Sequence, residues 1–330
     1  MLSLKIRAAC ARSATRLLAP IRLLNGNLPS LDRLLGRELT FPQVNAIAWA
    51  CRAGGCRFGA YYYWKFRQIA QVATLRSLDR NGAVAFVSHN DHSDYGPLDE
   101  AITDPRGLLI ALPHHGHFVQ GIMAMCERLQ LDRDVFVFYE SPEVHETNEI
   151  FDVIHERVFG NAASKVSILH NNRVGLVRAL KELRKGSVVF IMPDAFRRVE
   201  KTYRMPFCGM QRDFMLGTAV LARRSNARIL PLVAQPDQGL FGFTNQFGQQ
   251  IESGQTDGSP EGDLHADYRT TFAMFRALES LMKTGLIYWQ YVHSHEPMDR
   301  SSGLNSVGVP SAVLLMDPYV NLAKSNPIRI

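Results

Sequence analysis

Gly107-Leu108-Leu109-Ile110-Ala111-Leu112-Pro113-His114-His115-Gly116-His117-Phe118 joins two patterns across a single proline. The first half is an apolar run of the length of a buried strand. After the proline, Phe118, Ile122, Met125, Cys126 and Leu129 recur at helical spacing. A strand that feeds a helix through a polar burst is the repeating unit of an α/β sheet. Side chains at such a junction are held by rigid elements yet face an open crevice. Five of the eleven histidines lie between His89 and His117, three of them in this burst. Imidazole is the side chain best able to take up or give a proton near neutral pH. The stretch therefore points to an enzyme that uses a histidine base.

Outward from it, residues 83–87, 135–139, 188–192 and 229–233 are further apolar runs of strand length. Between them, apolar positions at helical spacing predict helices over 150–158, 174–183 and 216–225, with Gly186 placed to cap the second. Alternation at these intervals suits right-handed crossovers, and predicts an α/β fold with a mixed, largely parallel sheet flanked by helices. Residues 1–80 read as an N-terminal helical appendage, for packing or for contact with a membrane surface. Residues 81–300 read as the catalytic domain and 301–330 as a loose tail, with 239–262, rich in Gly, Gln, Ser and Asp, as a surface excursion.

Composition narrows the class. Apolar residues make up 46% of the 330 and charged residues 21%, which excludes a disordered chain. The net charge of +6 suits acidic partners: an anionic membrane, a nucleic acid or an acidic carrier protein. Lys5, Arg7, Arg12, Arg16 and Arg22 all precede the first acidic residue, Asp32, and alternate with leucines and isoleucines. That is the pattern of a basic amphipathic segment able to lie on an anionic bilayer, and a mitochondrial-type transit peptide shares it. Arginines interrupt every candidate secretory core, and no run is long enough to span a bilayer, so a cytoplasmic protein, peripheral on the inner face of the membrane, is expected. The cysteines (Cys10, Cys51, Cys56, Cys126 and Cys208) are odd in number and scattered, as free thiols are.

The downstream half carries an ordered series of motifs. Lys181-Glu182-Leu183-Arg184-Lys185-Gly186 leads through Val188-Val189-Phe190-Ile191-Met192 to Pro193-Asp194. Met205-Pro206-Phe207-Cys208-Gly209 follows, then Gly217, Leu221-Ala222-Arg223 and Ala227-Arg228-Ile229-Leu230-Pro231. This series resembles the bacterial late lipid A acyltransferases, the lauroyl/myristoyl branch of the lysophospholipid acyltransferase superfamily. The spacing matches without gaps from Pro206 to Gly217, and the likeness reaches Phe41-Pro42 upstream and Tyr288-Trp289 with Pro297 downstream. The resemblance implies a glycerolipid acyltransferase-like fold. It also implies transfer of a fatty acyl group from an acyl carrier protein or acyl-CoA to a hydroxyl or amine of a lipid or small molecule. No cofactor, metal or nucleic acid is expected.

The family's base is a histidine in an H-x-x-x-x-D/E signature. Aligning strand, histidine and helix places that histidine at His114, with Gly116 on the family's glycine and His117-Phe118 on its Asn-Trp pair. Five positions after His114 stands Val119, and five after His115 stands Gln120, so the acid is missing; Glu140 also replaces a usual arginine. His114, His115 and His117 are the candidate bases, and Asp91, Asp94 or Asp194 is expected to supply the carboxylate in space. Gln120, Arg173, Arg197, Phe207 and Gly209 are the candidate substrate contacts, and the basic run Arg197, Arg198, Lys201 and Arg204 suits an acidic carrier. Met123 and Met125 are candidates for lining an acyl channel or for filling core gaps. His89, with Asp94 five positions on, is a literal rival for the dyad. The same segment, Ser88-His89-Asn90-Asp91-His92-Ser93-Asp94, faintly echoes a metal-dependent hydrolase's metal loop. A degenerate acyl- or carrier-binding protein without turnover is the non-enzymatic alternative.

Overall fold

The computed structural model describes residues 41–57, 59–141, 149–160, 163–194 and 202–292. Helices α1 (Phe41–Ala53), α2 (Gly59–Ser77), α3 (Arg80–Asn90) and α4 (Gly96–Thr103) precede strand β1 (Leu108–Ala111). There follow α5 (Phe118–Leu129), β2 (Val135–Tyr139), α6 (Glu149–Phe159), β3 (Val166–His170), α7 (Arg173–Arg184) and β4 (Val188–Ile191). A hairpin of β5 (Tyr203–Phe207) and β6 (Met210–Phe214) leads to α8 (Gly217–Ser225), β7 (Arg228–Pro236), β8 (Phe243–Phe247) and α9 (Pro260–Met282). A 3₁₀ turn, Leu286–Tyr288, closes the described chain.

The main sheet has the order β3-β2-β4-β1-β7-β8. Its first five strands are parallel and β8 pairs antiparallel with β7. This is the mixed, largely parallel α/β architecture expected. β1 and β4 are buried at every position, as strands covered on both faces must be. Leu108, Ile110, Phe190 and Leu230 face a core shared with α3, α4, α5 and α6. The alternate side chains Leu109, Ala111, Val189 and Ile229 face a second core, with α7, α8 and α9. Residues 41–77, expected to be an appendage, contribute to these cores: Ile47 and Ala50 are fully buried in the second, and Leu75 is buried in the first.

Two expectations need correction. Residues 83–87 form part of helix α3 rather than a strand. Asp79 caps that helix, its side chain accepting from Gly82 N–H at 2.8 Å. Ala83 and Val87, four apart, are the residues it buries. A five-residue apolar run fits either geometry, and here the cap and the i, i+4 burial decide for the helix. The excursion at 239–262 is partly ordered sheet: it contains β8, hydrogen-bonded along β7 from Leu232↔Phe247 to Pro236↔Phe243.

Candidate active site

β1 and β4 lie side by side with Ala111 opposite Ile191. Both chains run three residues past that pair, to His114 and Asp194, at the sheet's C-terminal edge. Parallel pairing thus brings together two residues 80 positions apart. Asp194 Oδ1 lies 2.9 Å from His114 Nδ1. Its Oδ2 accepts from the His114 backbone N–H at 2.9 Å and from Trp289 Nε1–H at 2.8 Å. The carboxylate is wholly buried. Burial alone would push its pKa up, but the His114 imidazole, the indole N–H and the backbone amide outweigh that and hold it below the usual carboxylate range. An ionised carboxylate only accepts, so the neutral tautomer of His114 that fits this pairing has its proton on Nδ1 and its lone pair on Nε2. The His114 side chain is 15% exposed, and among the described residues its Nε2 has no hydrogen-bond partner.

The segment carrying Trp289 straps the histidine loop in place. Gly116 N–H donates to Tyr288 O at 3.0 Å, and Gln290 N–H donates to His114 O at 2.8 Å. Gly116 has φ +61, and a Cβ there would stand 1.8 Å from Ala234 O, so the turn admits only glycine. Arg212 lies over the Trp289 ring at 4.5 Å, and Phe207 meets the same ring edge-on at 5.4 Å.

The other two histidines point into the protein. His115 is fully buried, its Nε2 2.8 Å from Gly285 O, and burial lowers its pKa to about 4. His117, also fully buried, sits at the N-cap of α5 with Nδ1 2.8 Å from Gln71 Oε1. Burial, then the nearby Arg67, lowers its pKa to about 3. Gln71 Nε2–H in turn donates to Gln120 Oε1 at 2.6 Å. Both rings are neutral at physiological pH and fasten the loop to α2 and to Gly285.

An apolar cleft of about 50 Å³ opens between α5 and α6 on one face of the sheet. Val119, Met123 and Cys126 of α5, Ile154 and Phe159 of α6, and Met192 line it. His114 and Asp194 do not line it themselves: Val119 follows Phe118, whose ring meets His114 edge-on at 5.2 Å, and Met192 stands two residues before Asp194.

A family model described as bacterial lipid A biosynthesis acyltransferase matches residues 105–295, the span that holds His114, Asp194 and Trp289. The chain belongs to that family. It is an acyltransferase, and membership brings an acyl donor and a lipid acceptor. A search of curated proteins found no match.

The acyltransferase places its remaining candidate residues unevenly. Gln120 is fully buried in the Gln71–His117 chain, and Phe207 is fully buried in the core. Gly209 occupies the turn between β5 and β6 at φ +74, and Arg173 is exposed at the first position of α7. Arg197, Arg198 and Lys201 lie outside the described residues, and Arg204 pairs with Asp213 at 2.9 Å. Met123 lines the cleft, whereas Met125 is core.

His89 lies exposed on the last turn of α3, not at a strand end. Asp94 spends an oxygen on Gly96 N–H at 2.9 Å, and no contact joins it to His89 among the described residues. Asp91 accepts from Ser93 Oγ–H and from Tyr95 O–H, and His92 pairs with Asp237 at 2.9 Å. Among the described residues no three His, Cys, Asp or Glu side chains gather around a common point that could hold a metal ion. The partners sequence reasoning missed are Trp289, Gln71 and Gly285. Only Trp289 had any signal, in the resemblance at Tyr288-Trp289.

Proposed function

We propose that this acyltransferase carries a fatty acyl group from a thioester, on acyl carrier protein or coenzyme A, to a hydroxyl or amine of a lipid acceptor, with His114 as general base. His114 Nε2 removes the acceptor's proton as its oxygen or nitrogen bonds to the thioester carbonyl carbon. The C–S bond then breaks and the imidazolium returns the proton to the departing thiolate. Asp194 holds the tautomer that leaves Nε2 free and stabilises the imidazolium, the part an aspartate plays in hydrolase triads. The acyl chain lies in the apolar cleft, so the carbonyl comes to rest beside the base. His115, His117 and Gln120 position the loop without touching substrate, and no cofactor takes part.

The observation that carries this reading is the 2.9 Å pairing of a partly exposed imidazole with a wholly buried carboxylate at the sheet's C-terminal edge, near an apolar cleft. It also weighs against the degenerate reading, because Asp194 can stand in for the acid absent at Val119. The test is incubation with acyl-CoA and acyl-carrier donors and candidate lipid acceptors, with mass spectrometry of the products. His114→Ala should cut transfer by about 10²–10⁴-fold. Full transfer by His114→Ala alongside an inactive His89→Ala would sink the assignment.

A further inference from the structure

Helix α1 ends in a turn that sets two cysteines against each other. Gly55 N–H donates to Arg52 O at 3.2 Å, Cys56 N–H donates to Cys51 O at 2.8 Å, and Gly55 is left-handed at φ +63. Two such bonds around a left-handed glycine make a Schellman cap, in which the residue after the turn commonly packs on the third residue from the helix end. Both of those positions are cysteine here. The 2.8 Å bond and standard backbone lengths keep the two Cα atoms within about 6.7 Å, inside the range that a disulfide spans. The thiols are free, and they hydrogen-bond to each other.

The two sulfurs differ in access. Cys51 is buried in the core that also holds Ile47, Leu286, Ile287 and Trp289. Burial, then the neighbouring thiol, raises its pKa to about 12. Cys56 is partly exposed. One thiol can therefore be reached from solution, and the other waits behind it. Cys126 and Cys208, the remaining cysteines among the described residues, are both buried. The cap also touches the support of the histidine loop. A Cβ on Gly54 would stand 3.5 Å from Thr284 O, and the next residue, Gly285, accepts from His115 at 2.8 Å. From there the chain runs on to Tyr288 and Trp289, which hold Gly116 and Asp194.

We propose that Cys51 and Cys56 are a reversible thiol–disulfide site, oxidised by low-molecular-weight disulfides such as oxidised glutathione, and that closing it locks the cap on which the Trp289 strap rests. Cys56, as the thiolate, attacks one sulfur of the small disulfide, which forms a mixed disulfide and releases one small thiol. Cys51 then gives up its proton and attacks the Cys56 sulfur, releasing the second. Two protein thiols become one S–S bond, one small disulfide becomes two thiols, and the two protons end on the departing sulfurs. The cap already lies within the bond's reach, so closure adds a constraint without moving the backbone. The site stands whichever residue is the base, because it is read without turnover.

The test starts from reduced full-length protein equilibrated with oxidised and reduced glutathione, then blocked with iodoacetamide and digested with trypsin. Cleavage after Arg37, Arg52 and Arg57 puts the two cysteines on separate peptides, 38–52 and 53–57. The folded protein should yield these two peptides joined, parted by reductant, with a thermal midpoint raised by about 3 °C in the oxidised form. By linkage, the equilibrium constant for closure against glutathione should be about tenfold larger in the folded chain than in urea. Amide exchange at Gly116 and Gln290, whose N–H groups bond across the strap, should slow about threefold on oxidation. Cys56→Ser, a small change at a partly exposed position, should lose the joined peptides and the midpoint shift together. A stable glutathione adduct on Cys56 with no joined peptides overturns the proposal. So does a bond that forms only in urea, one that lowers the midpoint, or one that leaves exchange at Gly116 and Gln290 unchanged.

Discussion

His114 and Asp194 hold each other through two hydrogen bonds of 2.9 Å, one to the imidazole and one to the backbone N–H of the same residue. The second bond fixes where the histidine's backbone lies, the first how its ring is turned. One buried carboxylate therefore sets both position and tautomer.

Asp194→Asn keeps the shape but sets an NH₂ against one or two of the three donors, so at least one hydrogen bond is lost and the imidazolium loses its counter-charge. Transfer should fall by on the order of 10²–10⁴, and stability by about 1–3 kcal/mol. Steady-state kinetics and urea unfolding read both, and an unchanged kcat would refute the pairing's role.

Trp289→Phe removes one of the donors on Asp194 while leaving a ring beneath Arg212. The carboxylate pKa should rise, and the acid limb of the kcat–pH profile should move toward neutrality. A roughly tenfold loss of kcat with KM nearly constant is expected, as one charge-assisted hydrogen bond is worth about 1.5 kcal/mol or more. An unmoved acid limb with intact folding would count against it.

Cys126 is fully buried in α5 and lines the cleft two helical turns beyond Val119. Cys126→Phe should fill that end and shift the donor preference to shorter chains, with little change for the shortest. Competition between mixed acyl-CoA donors, scored by product mass, reads the shift. An unaltered chain-length profile would show that the acyl group lies elsewhere.

His115 and His117 make stability depend on pH. Their folded pKa values, about 4 and about 3, lie below the unfolded value of about 6.5. Above pH 6.5 both states are neutral and nothing changes. As pH falls from about 6.5 toward 4 and 3, the unfolded chain takes up protons that the native rings refuse, so stability drops, then levels once the native rings also charge. The loss should be on the order of a few kcal/mol. Urea midpoints measured across that window should fall less steeply for His117→Gln than for the wild type.

Much of the fold is legible in the chain because β1, β2, β4 and β7 are aliphatic runs buried by covering helices. β3 escaped because it is an edge strand, half-covered, and reads Val166-Ser167-Ile168-Leu169-His170. β5 holds a proline and alternates in polarity, within a hairpin set apart from the main sheet. In the candidate site, the burst itself was plain, but nothing local separates His114 from His115 and His117. Burial does that, and burial is decided by Gln71 and by Gly285, 46 and 170 positions away from their partners. Asp194 stood among three eligible acids until the β1–β4 register chose it.

In the proposed mechanism the carboxylate arrives from a neighbouring strand, so the first turn of α5 carries no proton-handling duty, and Val119 occupies it as hydrocarbon. That mechanism assigns fatty-chain preference and acid–base tuning to different pieces of backbone. Either can be re-engineered, or drift, while the other is left alone.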